Sequence, residues 1–180
     1  ASVPLEVAPP TTNNNVRELR NPDRVVFIGS STGGPRALQT VMQGLTEGLQ
    51  AAIVIVQHMP VGFTRSLAER LDGMSPFQVR EARPGDVLQA GLALLAPGGF
   101  HLQFDADARA TLNQNPTVQG VRPAIDVTLT SLVPHYKGKL VTAILTGMGH
   151  DGTHGATLVH QAGGHVIAEE LDGRDQHQVG

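Results

Sequence analysis

The chain of 180 residues contains no cysteine, no tryptophan and a single tyrosine. The absence of cysteine excludes a disulfide scaffold, a thiolate-bound zinc site and a thiol nucleophile, and it is typical of a cytoplasmic protein. So few aromatic side chains also argue against a stacking platform for single-stranded nucleic acid. The length predicts one domain with a substantial hydrophobic core.

Charge and hydropathy argue against two further classes of protein. The formal net charge is -3, with 13 Lys plus Arg scattered along the chain, so no basic surface for nucleic acid is expected. Apolar runs reach no more than about eight residues, whereas a membrane-spanning helix needs roughly 20. Residues 1–10 also lack the basic start and apolar centre of a signal peptide. We therefore expect a cytoplasmic monomer that neither binds nucleic acid nor inserts into membranes.

The composition changes near residue 24. Residues 1–23 are rich in proline and asparagine without periodicity, which is typical of a disordered linker. Residues 24–180 alternate short aliphatic runs with helix-like segments, and the run 51–56 is apolar at every position. Such a run indicates a strand buried on both faces. The pattern predicts a doubly wound α/β fold, with a mostly parallel sheet, helices on both faces and a small β-hairpin excursion within 81–118.

The predicted elements follow from these runs and their periodicity. The predicted strands are 25–28, 52–57, 78–81, 93–96, 101–104, 140–145 and 165–168. The predicted helices are 35–44, 62–71, 124–136 and 152–162.

The most informative motif follows the first predicted strand. Ser31 lies in Gly-Ser-Ser-Thr-Gly-Gly at 29–34, and Pro35 opens the next helix. Glycine two positions before and two after the serine permits a tight strand-to-helix turn that projects the hydroxyl outward. The N–H groups that open the helix then face any negative charge developing beside the hydroxyl. The motif predicts that Ser31 is a nucleophile.

Two more predicted strands end in reactive side chains. The second aliphatic run ends at His58, and the run 140–145 leads to Asp151. Because the carboxyl ends of parallel strands meet at one edge of the sheet, Ser31, His58 and Asp151 converge there if these strands are neighbours. A serine, a base and an orienting acid are the machinery of acyl transfer. Their order along the chain differs from that of the α/β-hydrolases, in which the acid precedes the histidine.

Each of these features also has a structural interpretation. The turn at 29–34 is compatible with a phosphate cradle, although it lacks the P-loop ending and the dinucleotide-binding glycine pattern. His58 alone fits a hydrogen-bonded structural histidine, and Asp151 alone fits the N-cap of the helix that follows it. Asp126 is a competing acid, for which a structural ion pair is favoured. It is the coincidence of three such groups at three strand ends that favours catalysis.

Histidines near the C-terminus raise the question of a metal site. His150 and His154 have the i, i+4 spacing of helical ligands, but glycines surround them and disfavour a regular helical site. We therefore predict neither a metal nor another cofactor.

At this point the chain resembles a known family, CheB, the protein-glutamate methylesterases of bacterial chemotaxis. The resemblance extends over residues 24–168, in order and at suitable spacing. The segments that carry it are Ile-Gly-Ser-Ser-Thr-Gly-Gly-Pro at 28–35, Gln-His-Met-Pro-Val-Gly-Phe-Thr at 57–64, Ser-Leu-Ala-Glu-Arg-Leu at 66–71, Arg-Pro-Ala-Ile-Asp-Val at 122–127 and Leu-Thr-Gly-Met-Gly-His-Asp-Gly at 145–152.

The resemblance implies a function for the three residues already selected. The triad of the family falls on Ser31, His58 and Asp151, and its reaction removes methyl groups from glutamyl methyl esters of chemoreceptor cytoplasmic helices. Deamidation of receptor glutamines is a second expected activity. Backbone N–H groups of Thr32 and Met148 are candidates for the oxyanion hole.

The resemblance also implies partners and a domain boundary. The expected partners are the cytoplasmic domains of methyl-accepting chemoreceptors, and a receiver domain that lies upstream in the full-length protein. Residues 24–180 are expected to be the catalytic domain without its last helical segment, because the sequence after 168 lacks the Phe-Gly-Met-Pro segment of the family. The residues alone leave two other functions open, a serine hydrolase of small esters and a non-catalytic anion-binding module.

Overall fold

The computed structural model describes residues 20–145 and 149–169. Its strands are β1 (Arg24–Ser30), β2 (Ala51–Gln57), β3 (Gln78–Glu81), β4 (Leu92–Leu95), β5 (His101–Phe104), β6 (Ala110–Asn113), β7 (Leu140–Ile144) and β8 (His165–Ala168). Its α-helices are α1 (Gly34–Gln43), α2 (Phe63–Asp72), α3 (Ile125–Tyr136) and α4 (Thr153–Gln161). In these two ranges no helix combines the length and the apolar character needed to cross a bilayer.

Six of the strands form one sheet in the order β3-β4-β2-β1-β7-β8. Every neighbouring pair in this sheet is parallel, while β5 and β6 form a separate antiparallel pair. This architecture confirms the predicted doubly wound fold and its hairpin excursion. Within the segment 81–118, however, β4 belongs to the main sheet, and β6 has no counterpart among the predicted strands.

The core has two layers because β2 contributes side chains to both faces of the sheet. Val54 and Val56 pack in the layer that contains Leu129 of α3. Ile53 and Ile55 pack in the opposite layer, which contains Leu38, Met42, Leu67 and Leu71 of α1 and α2. All seven residues of β2 are buried, which explains why this strand is almost entirely apolar rather than alternating.

Three strand-to-helix turns share one backbone feature. Gly33, Gly62 and Gly152 directly precede α1, α2 and α4, with φ of 75°, 89° and 107°. Positive φ is unfavourable for residues with a Cβ atom, so glycine is the natural residue at each position. The same three turns contain Ser31, His58 and Asp151, respectively.

The strand order places the predicted site residues at one edge of the sheet. β1 lies between β2 and β7, and its last residue, Ser30, is the register partner of Gln57. Ser31 and His58 therefore follow neighbouring strand ends. β7 leads toward the turn that contains Asp151 on the other side of β1.

Helix α4 packs against α3 through a glycine, which gives a test of the core. A Cβ atom at Gly155 would lie 2.8 Å from Leu129 Cδ2 and 3.0 Å from Leu129 Cβ. Overpacking of this kind costs about 1–3 kcal/mol, which should exceed the gain of up to about 1 kcal/mol in helix propensity. We expect Gly155→Ala to lower the free energy of unfolding, measured by urea denaturation.

Gly73→Ala is the matched control. Gly73 has φ of -68°, and a Cβ there would lie 3.7 Å from the Arg70 carbonyl oxygen, an ordinary contact. This variant should stay within about 0.5 kcal/mol of the wild type. Equal stability of the two variants would contradict the close approach of α3 and α4.

Candidate active site

The first side of the site is the serine turn after β1. Ser30 is buried, at 1 % exposure, and its hydroxyl donates to Gln57 Oε1 at 2.5 Å. Ser31 is half-buried, and Thr32 after it is exposed. The Ser31 carbonyl accepts a hydrogen bond from the Gly34 N–H at 2.8 Å. Of the two serines, Ser31 is thus the one whose hydroxyl is not committed to the core.

Gln57 joins the serine turn to the histidine turn. Its Nε2 donates to the Ser31 carbonyl at 2.9 Å and to the His58 carbonyl at 3.2 Å. The backbone reinforces this link, because the His58 N–H donates to the Ser30 carbonyl at 3.0 Å. Sequence reasoning assigned no role to Gln57. The available signal was a polar residue closing an otherwise apolar strand that is buried on both faces.

The second side of the site is a hydrogen-bonded pair of His58 and Asp151. His58 Nε2 lies 2.7 Å from Asp151 Oδ2, and both side chains are largely buried, at 14 % and 5 % exposure. Asp151 also accepts the N–H of Ile125 at 2.6 Å and that of Asp126 at 2.8 Å. These N–H groups open α3, so the positive end of its dipole faces the carboxylate. Because Nε2 is engaged by Asp151, Nδ1 is the ring nitrogen left for a second partner.

The structural interpretation of Asp151 as the cap of its own helix is wrong. Helix α4 follows Gly152 and has no side-chain cap, whereas the Asp151 carboxylate binds the first turn of α3. The ion pair expected for Asp126 is also absent from the described residues. Instead, Asp126 Oδ1 accepts the Gly155 N–H of α4 at 2.7 Å. The arrangement is reciprocal: Asp151, which precedes α4, binds the first turn of α3, and Asp126, in the first turn of α3, binds the first turn of α4. No local sequence rule predicts it.

The remaining predicted residues lie apart from this pair or outside the described ranges. His150 and His154 are exposed, and residues 20–145 and 149–169 contain no cluster of His, Cys, Asp or Glu suited to a metal ion. Met148, one oxyanion candidate, lies outside the described residues. Thr32, the other candidate, lies at the exposed start of the turn before α1.

A glycine loop packs against the histidine turn. A Cβ at Gly98 would lie 2.5 Å from the Pro60 carbonyl oxygen, so the two backbones approach closely there. Thr64 holds this contact, because its hydroxyl accepts the Gly98 N–H at 2.9 Å and donates to Glu81 Oε1 at 2.6 Å. Val61 and Phe63 are exposed beside it, at 70 % and 63 %. The histidine turn is thus packed against the Gly98 loop on one side, while Val61 and Phe63 give it an apolar exposed surface.

The fold and this sheet edge define an open α/β protein with a buried His–Asp pair next to a strand-to-helix serine turn. The family model described as CheB methylesterase matches residues 26–173. The chain therefore belongs to the CheB methylesterase family.

Individual relatives agree with this assignment. The chain is 54% identical over 151 residues to a protein-glutamate methylesterase/protein-glutamine glutaminase of Symbiobacterium thermophilum, covering 84% of this chain and 42% of that protein. It is 47% identical over 152 residues to the protein of the same name from Thermotoga maritima, covering 83% and 44%. The crystal structure of the Thermotoga maritima CheB methylesterase catalytic domain matches with a TM-score of 0.78 and 47% identity, covering 83% of this chain and 80% of that one. The chain thus spans less than half the length of these curated relatives.

The reciprocal carboxylates give a test of their structural roles. Asp126→Ala leaves the buried Gly155 N–H without its acceptor, which should cost about 1–3 kcal/mol of unfolding free energy. Asp126→Asn keeps a side-chain oxygen at the same position and should lose less. Urea denaturation of both variants would measure the difference, and an equal loss in the two would contradict the assigned hydrogen bond.

Proposed function

We propose that this chain hydrolyses glutamyl methyl esters, and deamidates glutamines, on the cytoplasmic helices of chemoreceptors. Ser31 is the nucleophile, His58 the general base and Asp151 the orienting acid. The observation that carries the proposal is the buried hydrogen bond between His58 and Asp151, on the strand ends that flank the Ser31 turn. The names of the relatives support the same substrate class.

The reaction follows from which ring nitrogen faces Asp151. The carboxylate holds His58 through Nε2–H, so Nδ1 carries the lone pair that accepts the Ser31 proton. Ser31 Oγ then attacks the ester carbonyl, and the protonated His58 donates its proton to the methoxy oxygen, which leaves as methanol when its bond to the carbonyl carbon breaks. Water attacks the acyl-enzyme with His58 again as base, which releases the glutamate. With a glutamine substrate the leaving group is ammonia, and the other steps are unchanged.

Two charges develop during this reaction, a positive one on His58 and a negative one on the carbonyl oxygen of the substrate, and a group of the protein stabilises each of them. The imidazolium of His58 forms against Asp151, which is fixed by the two N–H groups of α3 and need not reorganise. The oxyanion forms beside Ser31, where the N–H groups of Thr32 and Met148 are the proposed donors. Loss of one such donor typically lowers the rate by about 10²-fold or more.

We further propose the partners implied by this reaction. Chemoreceptor cytoplasmic domains supply the substrate, and a receiver domain controls access to the site in the full-length protein. The curated relatives are more than twice as long as the matched region, which leaves room for such a domain. No cofactor takes part in the proposed steps.

The first test is methanol release from methylated chemoreceptor membranes. The wild type should release methanol, and Ser31→Ala should abolish the release, because it removes the attacking oxygen. Ser75→Ala is the matched control, since the Ser75 hydroxyl accepts the Phe77 N–H in the loop that follows α2. Release that persists in Ser31→Ala would refute the assigned nucleophile. Cleavage of small esters but not of receptors would favour the small-ester hydrolase.

The second test concerns the orienting acid. Asp151→Asn should lower kcat by about 10⁴-fold, because an amide favours the wrong histidine tautomer. Asp105→Asn is the matched control, because Asp105 also accepts two backbone N–H groups, from Asp107 and Arg109, but in the hairpin region. A folded Asp151→Asn variant with wild-type kcat would show that Asp151 serves only to cap α3.

A further inference from the structure

We infer that Gln57 is a positioning residue that fixes the direction of the Thr32 N–H, and so aligns the oxyanion hole. The inference rests on the proposed function, which makes that N–H an oxyanion donor. It assigns a role to a side chain that takes no chemical part in the reaction.

The orientation of the Gln57 amide is determined by its partners. The Ser30 hydroxyl donates to Oε1, while the carbonyl oxygens of Ser31 and His58 can only accept and therefore face Nε2. Turning the amide over would place Oε1 against two carbonyl oxygens. The side chain is 2 % exposed, so water does not replace these bonds. Gln57 is thus held in one conformation.

The serine turn is shaped to admit this amide. A Cβ atom at Gly34 would collide with Gln57 Oε1 and would lie 2.9 Å from Ser30 Cβ. The absence of a side chain at Gly34 therefore leaves the space that the amide fills. The start of α1 and the end of β2 meet at this point, directly beneath Ser31.

Two donors fix the peptide group that follows Ser31. Its carbonyl accepts from Gln57 Nε2 at 2.9 Å and from the Gly34 N–H at 2.8 Å. The peptide between Ser31 and Thr32 is trans, since the one cis bond in the described residues is Arg122–Pro123. In a trans peptide the C=O and the N–H point to opposite sides. Holding the Ser31 oxygen toward Gln57 therefore directs the Thr32 N–H away from it.

The same amide also fixes the base. Its second hydrogen bond, to the His58 carbonyl, holds the residue that follows β2. One side chain thus sets the relative position of the nucleophile turn and the histidine turn. A misplacement of about 1 Å in such a site can lower the rate by about 10²-fold.

The test compares Gln57→Met and Gln57→Glu with the wild type, using methanol release from methylated receptors and hydrolysis of p-nitrophenyl acetate. Gln57→Met removes both donors, and kcat should fall by about 10²-fold with little change in KM. Gln103→Met is the matched control, because Gln103 is a glutamine of the β5–β6 hairpin whose amide oxygen accepts from Asn113. It should keep the wild-type kcat.

Gln57→Glu supplies a readout that a purely structural role would not give. It has the same heavy-atom shape as glutamine, so it keeps the inference testable even if Gln57→Met unfolds the protein. The protonated acid can donate to the Ser31 carbonyl, whereas the ionised form places negative charge against it. Burial raises the pKa of a carboxyl group in such a position. The ratio of variant to wild-type kcat should therefore rise about tenfold or more as the pH falls from about 8 to about 5.5.

The outcomes separate this inference from the function on which it rests. A folded Gln57→Glu variant whose kcat ratio is constant with pH, or equals one, overturns the positioning role. Wild-type protein that hydrolyses p-nitrophenyl acetate but is inactive on receptors refutes only the receptor substrate. The ratio of Gln57→Glu to wild-type kcat is then measured on p-nitrophenyl acetate, and it still tests the positioning role. Melting temperatures of all variants show which of them are folded.

Discussion

The carboxylate of Asp151 is the point on which the rest of the site depends. It accepts one hydrogen bond from His58 and two from the first N–H groups of α3. A buried carboxylate without partners would cost several kcal/mol, so the three hydrogen bonds offset the cost of burying this side chain. In return, the acid closes a helix end that would otherwise lack acceptors. The orientation of the histidine is thereby tied to the packing of α3, and Asp126 ties α3 to α4 in the same way.

The glycine turns explain how three reactive side chains reach one edge of the sheet. At Gly33, Gly62 and Gly152 the chain leaves the edge with positive φ and enters a helix within a few residues. Thr32 and Val61, just before the first two of these glycines, are exposed, whereas all seven residues of β2 are buried. This geometry separates the two requirements of the site. The strands provide a rigid and apolar base, and the turns carry the polar groups at fixed positions above it.

The fold and the strand ends could be predicted because their signals are local. The run 51–56, which is apolar at every position, already indicates a strand of a parallel sheet that is covered on both faces. His58 follows the end of that strand, so the run also indicates the edge of the sheet at which His58 lies. The binding of Asp151 to the N–H groups of α3 could not be predicted, because Ile125 is 26 residues earlier in the chain and a capping rule only examines the next helix. Strand β6 was missed for a related reason. It is short and mostly half-buried, so its pattern is weak, and it is defined by pairing with β5 rather than by its own residues.

The donors and acceptors of the glutamine side chain explain why this residue stands at the end of β2. Three groups surround the position, one hydroxyl that donates and two carbonyl oxygens that accept. A carboxylate could satisfy the hydroxyl but would face both carbonyls with negative charge, and an aliphatic side chain would satisfy none of them. Each buried polar group left unpaired costs about 1–3 kcal/mol. Only an amide offers an acceptor and two donors without charge. The dinucleotide-binding folds have an acid at the end of the second strand, whereas an acid at this position would place negative charge against the carbonyl oxygens of Ser31 and His58, the two residues that are proposed to exchange a proton.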